Sequence, residues 1–365
     1  MSRRQKATIR DVAQAAGVGV GTVSRVLNGS GAVAEETAAR VRAAIAALGF
    51  KPDAAGRSLR SGASRSIGVL VPTVSNPIFA RSLEGIERAA AERGFSTILA
   101  TSGYDPDHEL DAVATLVARG VEGLVLTLTG TEPARIAAVA ATGVPFVLAY
   151  NQPRRDDAAV RFALATVDSF AAVREATERL LALGHRRIAF LGGAFASSDR
   201  SRARYDGYVA AMDAAGLAPR QAVEVPFDAE REIFEAALAD LLGDRPPPTA
   251  LICSNDLLGL HAVAAARRLR LRVPDDLSVV GFDGMPMARI AEPSLATVMQ
   301  PARRMGAIAV DLLFRLIAGE PPRQLVMAHE FREGGTLAAA RADADPLRAG
   351  SAPVSRSPKP DRSPS

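Results

Sequence analysis

The segment TIRDVAQAAGVGVGTVSRVLNG, from Thr8 to Gly29, decides how the N-terminal part of this chain folds. Thr8 with Asp11 three residues later has the spacing of a capping box. Val12, Ala13 and Ala16 then recur at helical spacing, and Gly17 stops the helix. A second helix is expected from about Val20 to Asn28, where Asn28-Gly29 ends it. Two short helices meeting at a tight glycine-containing turn form a helix-turn-helix. In such a motif the second helix lies in the major groove of DNA, its N-terminal residues facing base edges. Here those residues are Val20, Gly21 and Thr22, with Ser24 and Arg25 one turn on. Arg25 has the geometry to give a guanine two hydrogen bonds. Thr22, Ser24 and Asn28 are of the type that holds phosphates. Small helical hairpins with glycine turns also occur inside ordinary bundles, so the motif alone leaves two readings.

Charge bears on the choice. Residues 1–60 hold ten Lys and Arg against four Asp and Glu, whereas residues 61–340 hold 29 against 33. A basic head on a mildly acidic body suits a polyanionic partner. Outward from the motif, EETAARVRAAIAALGF predicts a third helix with Ala38, Val41, Ile45 and Leu48 on one face. Pro52 breaks the chain, and DAAGRSLRSGAS reads as a small, polar, basic linker.

From Ser66 the pattern changes. The apolar runs SIGVLVP, STILATS, GLVLTL, PFVLAY, RIAFLGG, ALICSND and LSVVGFD alternate with amphipathic helical stretches such as ARSLEGIERAAAERG. Continuous apolar strands alternating with helices imply buried parallel sheets in an α/β fold. So long a stretch implies two sheet subdomains rather than one. Ligands in such folds bind beyond the carboxyl ends of the strands. That gathers TVSNPIF, LTGTE, YNQPR, GGAFASSDRSR, SNDLLG and DGMP around one cleft. Cys253 is the single cysteine, which excludes an internal disulfide and fits a cytoplasmic protein; its apolar run marks it as core. No secretory signal and no membrane span is expected. The last 25 residues, rich in Pro, Ser and charge, are expected to be disordered, and they lack the leucine heptads of a coiled coil.

ATIRDVAQAAGVGVGTVSRVLNG, followed by VAEETAARVRAAIAALGFKPDAAGRSLRSG, resembles the head and hinge of the lac repressor (LacI/GalR) family. The likeness continues through SIGVLVPTVSNPIFARSLEGIERAA, RLLALGHRRIAFLGG, RYDGYVAAM, PTALICSNDLLGLHAV and VPDDLSVVGFDG, to about residue 338. It implies a small all-α helix-turn-helix head (1–51), a hinge helix and linker (52–64), a two-subdomain α/β effector-binding and dimerisation domain resembling periplasmic binding proteins (65–338), and a tail (339–365). It implies a homodimeric, cytoplasmic transcription regulator, a repressor, on a pseudo-palindromic operator under control of a sugar or sugar acid, with no cofactor. Val20, Gly21 and Arg25 take the base-reading positions. Leu59 matches a hinge leucine that wedges into the minor groove and kinks the duplex. Thr8 and Arg57 complete the residues expected at the DNA.

Around the effector the resemblance places Ile78, Phe79, Thr127, Tyr150, Ser198, Arg200, Arg204, Phe227, Asn255, Asp283 and Gln300. Arg204 suits paired hydroxyls or a carboxylate, and Asp283 is an acceptor for hydroxyls. The sequence also departs from the family. Gly19 stands in place of a capping serine, and Gly21 brings no side chain to a base-reading position. Gly56 replaces a hinge alanine, weakening a helix too short to be stable alone. Tyr150 stands where many members have Asp, with Asn151 as its expected substitute. Arg200, with Arg202 and Arg204, adds positive charge suited to an acidic or phosphorylated sugar.

Two other classes fit the sequence less well. A nucleotide-dependent enzyme lacks its motifs: no strand is followed by GxGxxG or GxxxxGK[ST], and the four histidines, His108, His185, His261 and His329, are scattered. A sugar-binding protein without regulatory DNA binding explains the body but leaves the head without a purpose.

Overall fold

Short helices and buried parallel strands both form where the sequence places them, in two separate units. The computed structural model describes residues 7–28, 30–50, 64–153, 162–227, 229–244 and 246–341. Its two units divide between Arg65 and Ser66.

The first unit is three helices: α1 (Ile9–Ala16), α2 (Val20–Asn28) and α3 (Glu35–Leu48). The capping box of α1 is complete. Thr8 Oγ1 accepts from Asp11 N, and the Asp11 carboxylate accepts from Thr8 N at 2.7 Å. Gly17 ends α1 at φ 63°, a left-handed conformation that glycine adopts without strain. Val12, Ala13, Ala16, Val23, Val41 and Ala44 make the core. Leu48 departs from expectation. It is 40% exposed, because α3 turns Ala44, rather than Leu48, to the core beside Val41.

The second unit has two six-stranded sheets. The first contains β1 (Ser66–Val71), β2 (Ser96–Thr101), β3 (Leu124–Leu126), β4 (Phe146–Ala149), β5 (Ala163–Val167) and β11 (Gln324–Met327). Its order is β11-β5-β4-β3-β1-β2, and every pairing is parallel. The second contains β6 (Ile188–Gly192), β7 (Val223–Glu224), β8 (Ala250–Cys253), β9 (Ser278–Asp283), β10 (Ala296–Met299) and β12 (Glu330–Arg332). Its order is β12-β10-β9-β8-β6-β7, parallel except for the antiparallel β10–β12 edge. All six residues of β1 and of β9 are buried, as helices on both faces require.

The helices of this unit are α4 (Pro77–Glu92), α5 (Pro106–Ala118), α6 (Pro133–Ala140), α7 (Ser169–Ala182), α8 (Asp199–Ala214), α9 (Arg231–Gly243), α10 (Asp256–Arg268), α11 (Pro286–Ile290) and α12 (Ala302–Ile317). The chain passes between the sheets after β5, after β10 and after β11. Helix α12 returns to the first sheet and packs closely on α4. A Cβ on Gly85 would sit 2.0 Å from the Arg303 carbonyl oxygen, and one on Gly306 would sit 2.1 Å from that of Ser82.

Strands β5, β7, β10, β11 and β12 were not among the seven apolar runs. They are short or Ala-rich, and β11 is an exposed edge. Cys253 is fully buried, and burial pushes its thiol well up. The second unit does not stop at residue 338. Ala340 N donates to the Leu183 carbonyl, and Arg341 pairs with Asp275 and Asp276. The hinge positions Gly56, Arg57 and Leu59, and the tail from residue 342, lie outside the described residues. Among the described residues no helix is long and apolar enough to cross a membrane.

Candidate DNA interface and effector site

Helix α2 buries Val23 against the head core and turns Val20, Gly21 and Arg25 outward. Thr22 and Ser24 are half-buried at its flanks. Gly19 provides its carbonyl to Thr22 N and Val23 N, so the helix begins without a side-chain cap from that residue. The bare Gly21 carbonyl accepts from Arg25 Nε at 3.3 Å. This bond holds the first part of the Arg25 side chain along the helix. Thr8 is occupied by the capping box, which also holds the Asp11 carboxyl below its usual range.

In the second unit, helix caps carry the site. Asn76 Oδ1 accepts from Ile78 N at the start of α4, Ser198 Oγ from Ser201 N at α8, and Asn255 Oδ1 from Leu258 N at α10. Each cap follows the carboxyl end of a strand or its adjoining turn, so the same geometry that starts a helix sets a polar side chain in the cleft. The cleft holds a cavity of about 170 Å³, lined from both sheets. At about 30 Å³ per water that is room for roughly six waters, about one monosaccharide.

Ten of the expected residues line this cavity: Ile78, Phe79, Tyr150, Ser198, Arg200, Arg204, Phe227, Asn255, Asp283 and Gln300. Thr127 does not. It lies buried at the end of β3, its backbone N–H bonded to Leu70. Asn151 does not replace the missing carboxylate either. Its amide is spent on Leu128 and on Asp199, away from the cavity. Arg202 is 60% exposed and pairs with Asp206 at 2.9 Å. Sequence reasoning missed Gly103, Tyr104 and Pro226, which line the cavity; Asn76, Gly193 and Ala194 also line it, within the stretches TVSNPIF and GGAFASSDRSR that were placed at the cleft without these residues being singled out. Phe79 meets Tyr150 edge to face, and Tyr104 lies tilted over Phe227 at 5.3 Å.

Charges in the cavity are buried and partly paired. Arg204 Nη1 donates to the Ser254 carbonyl, Nε to Ser169 Oγ, and its guanidinium lies over Phe282. Burial lowers its pKa to about 10. Asp283 Oδ1 is 3.9 Å from Arg204 Nη2, too long for a hydrogen bond. Asp283 instead accepts from Gln300 Nε2 at 2.6 Å and from Asn76 Nδ2 at 3.5 Å. Asp283 and Tyr150 have φ of 114° and 70°. Non-glycine residues in that region cost about 1–3 kcal/mol each, and such strain gathers at ligand clamps.

Asp256 lies behind Asp283, fully buried, accepting from Met285 N at 2.6 Å and Thr297 Oγ1 at 2.5 Å. Burial, then the neighbouring Asp283 charge, raise its pKa from 3.8 to about 7. The folded state thus holds this proton more tightly than the unfolded chain. The stabilisation is full below the unfolded value and is lost as pH rises through about 7. From this group alone, stability should fall by up to about 1.4 kcal/mol per pH unit between about pH 4 and 7. Denaturant titrations of the protein and of Asp256→Asn should show a flatter slope in the variant; equal slopes would assign the titration elsewhere.

The four histidines have structural surroundings. His185 bonds Thr249 and Ala338, His329 bonds Glu175, His261 lies tilted against Phe234, and His108 is exposed near Asp105.

A helix-turn-helix head and a two-sheet α/β unit with a polar, sugar-sized cleft together define a ligand-responsive DNA-binding regulator. Residues 8–53 match the bacterial regulatory proteins of the lacI family. Residues 64–334 match the periplasmic binding proteins and sugar binding domain of the LacI family. The chain belongs to the LacI family. It is a DNA-binding transcriptional regulator with an effector-binding domain, not an enzyme. It is 33% identical to the HTH-type transcriptional regulator GntR of Escherichia coli (strain K12) over 338 residues, 92% of this chain and all of the relative. Its fold matches the lac repressor dimer bound to operator and the anti-inducer ONPF, with TM-score 0.81, 27% identity, and coverage of 92% and 100% of the two chains. A second solved relative, the transcriptional regulator CelR in complex with cellobiose, matches at TM-score 0.66 and 31% identity, covering 90% and 99%.

Proposed function

We propose that this protein is a cytoplasmic repressor that binds a pseudo-palindromic operator as a homodimer. A sugar or sugar acid in the cleft controls that binding. Val20, Gly21 and Arg25 face the bases, Thr22, Ser24 and Asn28 the phosphates, and Arg57 and Leu59 act in the hinge. Thr8 serves the DNA interface by fixing the start of α1. The ten cavity residues hold the effector between the two subdomains, so that binding favours one arrangement of the cleft. The observation that carries this reading is the convergence, from both sheets, of ten side chains on one cavity in a chain that also bears the head. The solved relatives bound to operator and to cellobiose support it.

One short recognition helix specifies little, and two-fold pairing doubles what is read. Enrichment of a random duplex pool on the full-length protein should therefore converge on an inverted repeat. Enrichment of a single unrepeated site would remove the dimeric reading. A thermal-shift screen of sugars and sugar acids should find ligands that raise the melting temperature. The same ligands should change the affinity for the enriched duplex; ligands that bind without changing it would remove the regulatory role of the cleft.

A further inference from the structure

Two sides of the cavity are closed by hydrogen bonds, and a third is closed by aromatic rings. Toward α8 the subdomains are tied together: Asp199 N donates to the Thr129 carbonyl at 2.8 Å, and Arg200 Nη1 to the Leu128 carbonyl at 2.7 Å. Where the chain passes between the sheets after β10, Gln300 Nε2 donates to Asp283, which also accepts from Asn76 across the cleft. The third side is the rim. Among the described residues lining the cavity, Gly103 and Pro226 are the exposed ones, and each is followed by a half-buried ring, Tyr104 or Phe227. Tyr104 comes from the first subdomain, beyond β2, and Phe227 from the second, beyond β7, so their contact at 5.3 Å crosses the cleft. The turn that carries Tyr104 is pinned. Gly103 N donates to the Pro72 carbonyl at 2.8 Å, and Asp105 N to the Ser102 carbonyl at 3.1 Å. Tyr104 itself is held at φ 62°, a costly conformation for a residue with a side chain. Burial pushes its phenol up to about 12, and its hydroxyl lies within electrostatic reach of Arg200, Asp283 and Arg204.

We propose that Tyr104 is a size filter for the effector: with Phe227 it bars the mouth of the cleft, so that a single sugar unit is accepted and a disaccharide refused. The proposal rests on the reading of this cavity as the sugar site and adds the size class of its ligand. The cavity of about 170 Å³ holds about one monosaccharide, and a second unit would need about as much space again. Toward α8 and toward the crossing after β10 that space is taken by bonded protein groups. It opens only through the rim, where the two rings meet. A neutral phenol serves a sugar at that place. Its ring gives apolar contact to C–H groups, and its hydroxyl both donates to and accepts from a sugar hydroxyl. The two rings belong to different subdomains, so they part when the cleft opens and meet when it closes. A ligand long enough to hold them apart would hold the cleft open as well, and would favour the other of its two states.

The test is calorimetry on the full-length protein with D-glucose, D-galactose and D-gluconate, each beside disaccharides that contain it: cellobiose, gentiobiose, lactose, melibiose, maltobionate and lactobionate. The single unit that binds most tightly should exceed every disaccharide containing it tenfold or more. Tyr104→Gly removes the ring, and glycine adopts the left-handed backbone without strain. This variant should gain tenfold or more for at least one of those disaccharides and lose affinity for the single unit. Tyr104→Trp puts a larger ring at the mouth of a chain that otherwise has no tryptophan. It should keep the refusal, and its emission should change when the single unit binds. Disaccharides that bind the unsubstituted protein within tenfold of the single unit would overturn the filter and leave the sugar reading intact. So would a Tyr104→Gly variant that melts like its parent yet still refuses them, or a Tyr104→Trp emission that a bound single unit leaves unchanged. Binding by no probe would overturn the sugar reading itself and the filter with it. The first comparison and the tryptophan emission decide the matter even if Tyr104→Gly does not fold.

Discussion

Replacing Arg204 with alanine is expected to weaken effector binding about ten- to a hundredfold and to abolish the effector response, while effector-free DNA binding stays as it was. Removing one charged hydrogen-bonding group from a desolvated site costs about 1.5–3 kcal/mol. Arg204 is 6% exposed, so its charge acts in a largely desolvated setting. It is also the nearest cation to Asp283, whose pKa burial already raises and Arg204 holds down. Alanine there takes away the nearer of the two cations that hold the Asp283 carboxylate ionised, which favours the protonated acid. A two-state cleft responds to a ligand only by the difference in affinity between its states, so a ligand that has lost its main anchor shifts little. The head has its own core around Val12, Val23 and Val41 and does not need Arg204 to fold. Calorimetry with the tightest ligand of the sugar panel checks the first part, and anisotropy with the enriched duplex checks the second. Unchanged ligand affinity would make Arg204 a structural residue and place the ligand elsewhere.

What the sequence reveals of this protein follows from how local each signal is. The head was legible almost to the residue, because caps are short-range. Thr8 and Asp11 sit three apart, and Gly17 stands where a left-handed residue is needed. The seven long apolar runs were legible because burial on both faces removes polar residues from a strand. Strand β7, with two residues, and β11, at an exposed edge, carry no such imprint. The site divides in the same way. Asp283 ends β9 and Asn255 follows β8, where α/β ligands bind, Arg204 lies near the start of α8, and the family motifs mark all three. Tyr104 carries no periodic signal. It lies in the turn Ser102-Gly103-Tyr104 beyond β2, with φ 62°, and only the folded chain brings it to Phe227. Thr127 misled because it follows β3 directly, at the carboxyl end where ligands bind, yet it is buried and does not line the cavity. Asn151 misled because its hydrogen-bonding partners, Leu128 and Asp199, come from distant segments that no local pattern names.

Arg25→Ala is expected to lose operator discrimination while keeping most of the salt-dependent binding to random DNA. The reason lies in what α2 offers. Gly21 brings no side chain and Val20 offers only apolar contact, so Arg25 is the exposed residue among the three that can hydrogen-bond a base edge. Its Nε is tied to the Gly21 carbonyl, which leaves the two terminal nitrogens as the forked donor that matches guanine. Such a pair is worth about 1–3 kcal/mol of discrimination, and a dimer uses it twice, so the loss should be about 2–6 kcal/mol. Non-specific affinity comes from cations near the phosphates, and many of the head's basic residues remain in the variant. The slope of log affinity against log salt on random DNA should therefore fall by no more than about one contact per head. Competition titrations of the enriched duplex against random duplex, at several salt concentrations, measure both quantities. If affinity for both DNAs dropped by the same factor, Arg25 would be holding a phosphate. The reading of bases would then have to come from Val20 and Thr22, which would leave this operator far less specific than its two-fold symmetry suggests.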